Sequence, residues 1–207
     1  MSPAATRFLA LGDSYTIGEG VPVEGGWPAR LCALLRESGE AVATPDIVAT
    51  TGWTTDELLA AMDGAALAPP YDLVTLLAGV NDQYRGRDAH DYRAGFDTLL
   101  GRAIDLAGGA AHRVVVVSIP DWGTTPFARA SGRDVDRIAR EIDAFNAMAR
   151  ESALREGAGF ADVTVISRQA EAAAQLVADG LHPSAEQYAS WAGAILPQAR
   201  RALQRER

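Results

Sequence analysis

Residues 113–119 read Arg-Val-Val-Val-Val-Ser-Ile, and the four valines Val114 to Val117 make an extended chain apolar on both faces. A strand of that kind belongs in the middle of a parallel sheet covered by helices, because an antiparallel sheet with one wet face would alternate. Working outward from it, short β-prone runs recur at Arg7 to Leu11, Asp46 to Ala49, Leu73 to Leu77 and Ala161 to Ile166. Longer stretches with apolar residues three and four apart separate them. Tyr92, Phe96, Leu99, Ala103 and Leu106 form one stripe, and Val135, Ile138, Ile142, Phe145 and Ala149 form another. The alternation predicts a three-layer α/β/α sandwich of about five parallel strands, occupying residues 1–207 as a single domain. A last helix is expected from about Ser184, with Tyr188, Trp191 and Ile195 inward and Pro197 kinking it.

Composition narrows the chemistry. Over 207 residues, 19 basic and 27 acidic side chains leave a net charge of −8, with no basic run to track a phosphate backbone, so nucleic acid and anionic membrane are poor partners. Every basic residue is Arg, which excludes a P-loop lysine, a Schiff-base lysine and a Ser-Lys dyad. Cys32 has no intrachain partner and falls in an apolar helical pattern, as a buried thiol would. His90, His112 and His182 lie far apart without a Cys/His ligand pair, so no metal site is expected, and His90 and His112 read as surface residues. The first residues offer only Phe8 to Leu11 as an apolar run, too short for a signal or spanning segment, and cytoplasmic residence is the expectation.

In an open parallel sheet the ligand crevice lies at the carboxyl ends of the strands. There the sequence presents Gly12-Asp13-Ser14, then Thr51-Gly52-Trp53, then Gly79-Val80-Asn81-Asp82, and later Asp179-Gly180-Leu181-His182-Pro183. Singly, each has an ordinary use: Ser14 as a helix N-cap, Gly52 and Gly79 as turn residues, Asn81, Asp82 and Asp179 as caps. Together they supply what acyl transfer needs. A serine hydroxyl requires a base, and His182 is the histidine beside a candidate orienting carboxylate, Asp179.

These four blocks, in this order over this strand pattern, resemble the SGNH (GDSL) hydrolases over nearly the whole chain; the family's usual Leu after the serine is Tyr15 here. The resemblance implies a flavodoxin-like sheet of strand order 2-1-3-4-5 and hydrolysis of esters or thioesters on lipids, small acyl esters or acetylated sugars. It implies no cofactor. In that order the Asp179-His182 loop must travel roughly 14 Å from the fifth strand to the first. A nine-residue helix within Arg168 to Ala178 would span about 13 Å of it.

The expected site is therefore a catalytic triad of Ser14, His182 and Asp179. An oxyanion hole is expected from the Ser14 N–H, the Gly52 N–H and the Asn81 amide, with Gly52 chosen because it lacks a Cβ that would block close approach. Asp13 and Asp82 are expected to accept loop N–H groups. Trp53, Tyr84, Trp122 and Phe127 are candidate substrate-binding residues, and Arg85 beside Tyr84 is a candidate for touching a polar head group. The partner is a small-molecule or lipid ester, and a non-catalytic binding module of the same shape is the alternative. A nucleotide site is disfavoured by the absence of GxGxxG after the first strand, and an α/β-hydrolase by the absence of GxSxG.

Overall fold

A computed structural model describes residues 5–204. Five strands form one parallel sheet: β1 (Phe8–Gly12), β2 (Asp46–Ala49), β3 (Leu73–Leu77), β4 (Val114–Val117) and β5 (Gly159–Ala161), in the order β2-β1-β3-β4-β5. Residues of β1, β3 and β4 are buried throughout, which is what their two-sided apolar character demands. On one side, α2 (Trp27–Glu37) packs against α9 (Ala185–Leu203); on the other, α3 (Thr55–Gly64), α5 (Ala89–Leu106) and α7 (Val135–Glu156) pack in sequence. Both expected stripes turn inward, save that Val135 at the start of α7 is exposed. Tyr188, Trp191 and Ile195 are fully buried on α9, which continues through Pro197. Cys32 is buried in α2, and burial pushes its thiol up to about 11 against a small opposing pull from Arg36. No helix among the described residues is long and apolar enough to cross a membrane.

The short helices sit at the crevice end: α1 (Ser14–Ile17), α4 (Val80–Tyr84), α6 (Pro126–Ala130) and α8 (Thr164–Ser167). Register places them there, because Gly12 pairs with both Ala49 and Leu77, so β1, β2 and β3 end at one level and their following residues leave the sheet side by side.

Two expectations are corrected. The fifth strand ends at Ala161, and residues 164–167 are helical instead of extended. The Ser118 hydroxyl after β4 accepts the N–H groups of Val163 and Thr164, and Asp162 Oδ1 accepts Thr164 N–H, turning the chain off the edge. The crossing from β5 to β1 is not a nine-residue helix but a single 3₁₀ turn at Ala172–Ala174 between irregular segments. Gln187 of α9 donates its amide to the carbonyls of Ala172 and Gln175, fastening this irregular segment to α9.

Candidate active site

The first block is shaped by close packing. A Cβ on Gly12 would overlap Thr16 Oγ1 and come within 2.6 Å of the Leu77 carbonyl, so only glycine lets β1 turn directly into α1 against β3. Asp13 caps that helix: its Oδ1 accepts the Tyr15 N–H at 3.0 Å, while Oδ2 is buried without a partner among the described residues. Burial raises the Asp13 carboxyl to about 7, the Tyr15 hydrogen bond pulling the other way and the Asp82 charge adding to the rise. Ser14 follows as the first helical residue, only 5% exposed.

His182 arrives on a tight loop. Val177 N–H donates to the His182 carbonyl at 2.9 Å, Ser184 N–H to the Gln175 carbonyl at 2.8 Å, and Phe127 N–H of α6 to the Gly180 carbonyl at 3.1 Å. The imidazole Nε2 lies 2.9 Å from Ser14 Oγ, across 168 residues of sequence, and Nδ1 lies 2.6 Å from Asp179 Oδ2. Asp179 also accepts the N–H groups of Leu181 (2.8 Å) and His182 (3.0 Å) through Oδ1. Partial burial would raise this carboxyl, but the bonds from the His182 ring and the two backbone N–H groups outweigh it and hold Asp179 below the usual carboxylate range. An ionised carboxylate only accepts, so Nδ1 carries the proton and Nε2 is left to accept from the Ser14 hydroxyl. Tyr15 backs the ring, centroid to centroid 5.4 Å and inclined 54°, and itself leans on Trp191 at 5.8 Å.

Gly52 and Asn81 border the same cleft as Ser14 and His182. Glycine at 52 also meets a conformational demand. An added Cβ would meet nothing nearer than Arg85 Nη2 at 3.9 Å, whereas φ is +85°, a conformation that L side chains rarely adopt. Asn81, on α4, donates from Nδ2 to the Trp53 carbonyl at 2.9 Å; an amide nitrogen carries two hydrogens, and the second has no acceptor among the described residues. The backbone N–H groups of Ser14 and Gly52 likewise donate to no described residue. Asp82 accepts the Thr55 N–H (3.0 Å) and hydroxyl (2.8 Å), tying the start of α3 to α4, as expected for a loop anchor.

The cleft has a volume of about 130 Å³, and Tyr84, Trp122, Phe127 and Leu181 wall it. Trp53 does not border it; its half-buried ring packs on the core instead, because its carbonyl, not its side chain, is turned to Asn81. Sequence reasoning gave no sign of Arg133, whose guanidinium lies 4.0 Å from the Tyr84 ring centroid and whose Nη1 donates to the Tyr84 carbonyl at 2.9 Å. Nor did it give Leu181 or the packing of Tyr15 against the His182 ring. His90 and His112 are exposed. Among the described residues the one group of donors close enough to hold a cation is Asp88, His90 and Asp91, fully exposed at the start of α5.

Residues 10–189 match the GDSL-like lipase/acylhydrolase family. No curated protein matches the sequence. Among solved structures, TesA superimposes with a TM-score of 0.74 at 20% identity, covering 96% of this chain and 100% of its own. A lipase/acylhydrolase from Enterococcus faecalis gives 0.75 at 21%, over 98% and 99%. A catalytic mutant of the acetylxylan esterase Axe2 from Geobacillus stearothermophilus gives 0.70 at 21%, over 96% of each chain. At such identities the likeness is one of fold.

Proposed function

Because the chain belongs to the GDSL-like lipase/acylhydrolase family, we propose that it is a serine ester hydrolase working through an acyl-enzyme on Ser14. The observation that carries this reading is the unbroken relay Ser14 Oγ, His182 Nε2, His182 Nδ1, Asp179 Oδ2, with links of 2.9 and 2.6 Å. Ser14 Oγ attacks the ester carbonyl while Nε2 takes its proton, and Asp179 stabilises the imidazolium that results. The negative oxygen is met by the Ser14 N–H, the Gly52 N–H and the free amide hydrogen of Asn81. Collapse breaks the bond to the alkoxy oxygen, which leaves with the proton from Nε2. Water then gives its proton to the same nitrogen, attacks the acyl group and frees the acid and Ser14.

At about 130 Å³ the cleft is smaller than the roughly 300 Å³ at which sites for drug-sized ligands begin, and its wall is aromatic and aliphatic. That favours a short acyl group over a long fatty chain, and an acetylated sugar would present such a group. A panel of p-nitrophenyl esters from acetate to palmitate, run on the wild type and on Ser14→Ala, tests the reading. Turnover should be greatest at the short end and vanish in Ser14→Ala, and a fluorophosphonate should label the wild type alone. Undiminished hydrolysis by Ser14→Ala would sink it, and no hydrolysis or labelling of the wild type would favour the binding module.

A further inference from the structure

Arg85 and Asn81 stand four residues apart at α4, and both reach the loop after β2. Asn81 Nδ2 donates to the Trp53 carbonyl at 2.9 Å, and Arg85 Nη2 donates to the Gly52 carbonyl at 2.6 Å. Two successive carbonyls are thus gripped from one turn of helix. The other arm of the Arg85 fork, Nη1, donates to Glu57 Oε1 at 3.1 Å, and Glu57 Oε2 accepts the Thr54 N–H at 2.9 Å, so the carboxylate ties the same loop to α3. On the loop's far side the Thr51 hydroxyl donates to Glu19.

We propose that Arg85 is a positioning residue that locks Gly52 in its left-handed conformation and so holds the Gly52 N–H aimed at the developing oxyanion. This rests on the reading of Gly52 as an oxyanion donor. A glycine at φ +85° has access to most of backbone space, and nothing in its own side chain holds it there. The carbonyl bond and the turn bond from Trp53 N–H to the Thr50 carbonyl, at 3.3 Å, both hold the peptide that follows Gly52, and the turn bond ties it to the peptide before Thr51, so the intervening peptide that carries the Gly52 N–H is held between two anchored ones. The exposed Arg85–Glu57 pair adds little stability by itself, so removing it should loosen one donor without unfolding the protein. A lysine ammonium is a point charge and cannot serve Gly52 and Glu57 with the fixed geometry of a guanidinium fork.

The test uses purified Arg85→Ala, Arg85→Lys and Asn81→Ala with p-nitrophenyl acetate, each assayed with and without guanidinium chloride at tens of millimolar, far below the molar concentrations that denature. Arg85→Ala should lose about tenfold in kcat, less than the loss of a whole donor, with KM within about twofold. Guanidinium should restore its kcat several-fold in a saturable way, Arg85→Lys should fall between, and neither the wild type nor Asn81→Ala should respond. A wild-type kcat in Arg85→Ala, a loss confined to KM, or a loss that guanidinium does not repair would overturn the proposal. If Arg85→Ala does not fold, Arg85→Met keeps the stem and takes its place. Full turnover by Asn81→Ala would instead overturn the oxyanion reading beneath it.

Discussion

Replacing Asp13 by asparagine isolates a buried carboxyl whose titration should be visible in the stability of the whole chain. Burial, opposed by the Tyr15 N–H and reinforced by Asp82, raises this group from its ordinary 3.8 to about 7. The folded protein therefore keeps the proton to higher pH than the unfolded chain does. Between about pH 4 and pH 7 the unfolded state binds fewer protons, so stability falls as pH rises through that window and is level above it. The gap from 3.8 to about 7 corresponds to on the order of 4 kcal/mol at about 1.4 kcal/mol per pH unit. Asn keeps the Oδ1 acceptor for Tyr15 and imitates the neutral acid without titrating. Urea unfolding of both proteins should show the asparagine variant gaining roughly 3 kcal/mol on the wild type between about pH 5 and pH 8. Thermal melting should echo this with a change on the order of 10 °C for a chain of this size. Parallel stability curves for the two proteins over that range would refute the burial argument.

Two further changes bear on the site. Asn81→Ala should lower kcat by about 10²–10³ with little change in KM or melting temperature, read from steady-state rates and a thermal scan; a loss appearing mainly in KM would contradict its role as an oxyanion donor. Tyr15→Phe should keep kcat/KM within about twofold because the ring, not the hydroxyl, stands against His182 and Trp191, whereas Tyr15→Leu should cost about 1–2 kcal/mol of stability and several-fold in kcat. A Phe variant as impaired as the Leu variant would show that the hydroxyl matters and the ring does not.

The sheet was legible wherever burial on both faces writes itself into composition: Val114 to Val117 is apolar without alternation because no face of β4 meets water. The crevice residues were legible because a parallel sheet collects its strand ends at one edge, so a search of four short stretches found Ser14, Gly52, Asn81, Asp179 and His182, which the fold brings to one place. What escaped notice depends on partners remote in sequence. β5 ends early because of Ser118, 45 residues before Val163, and the irregular crossing is fastened by Gln187, which donates to the Ala172 carbonyl from 15 residues away. The grip of Arg85 on Gly52 spans 33 residues and that of Arg133 on Tyr84 spans 49, and neither leaves a local pattern. The left-handed backbone of Gly52 was not legible either, since a positive φ is a property of the folded turn and cannot be seen in a one-letter string.

The separation of 168 positions between Ser14 and His182 bears on when activity is born. During synthesis the hydroxyl emerges first and waits with no base in reach until the imidazole, and the α9 segment that seats its loop, have followed. On the proposed mechanism, a nascent chain is thus inert toward esters until the Asp179–His182 loop and the helix behind it have been made. The first turnover would mark the completion of folding, so ester cleavage itself can serve as the clock in a refolding experiment.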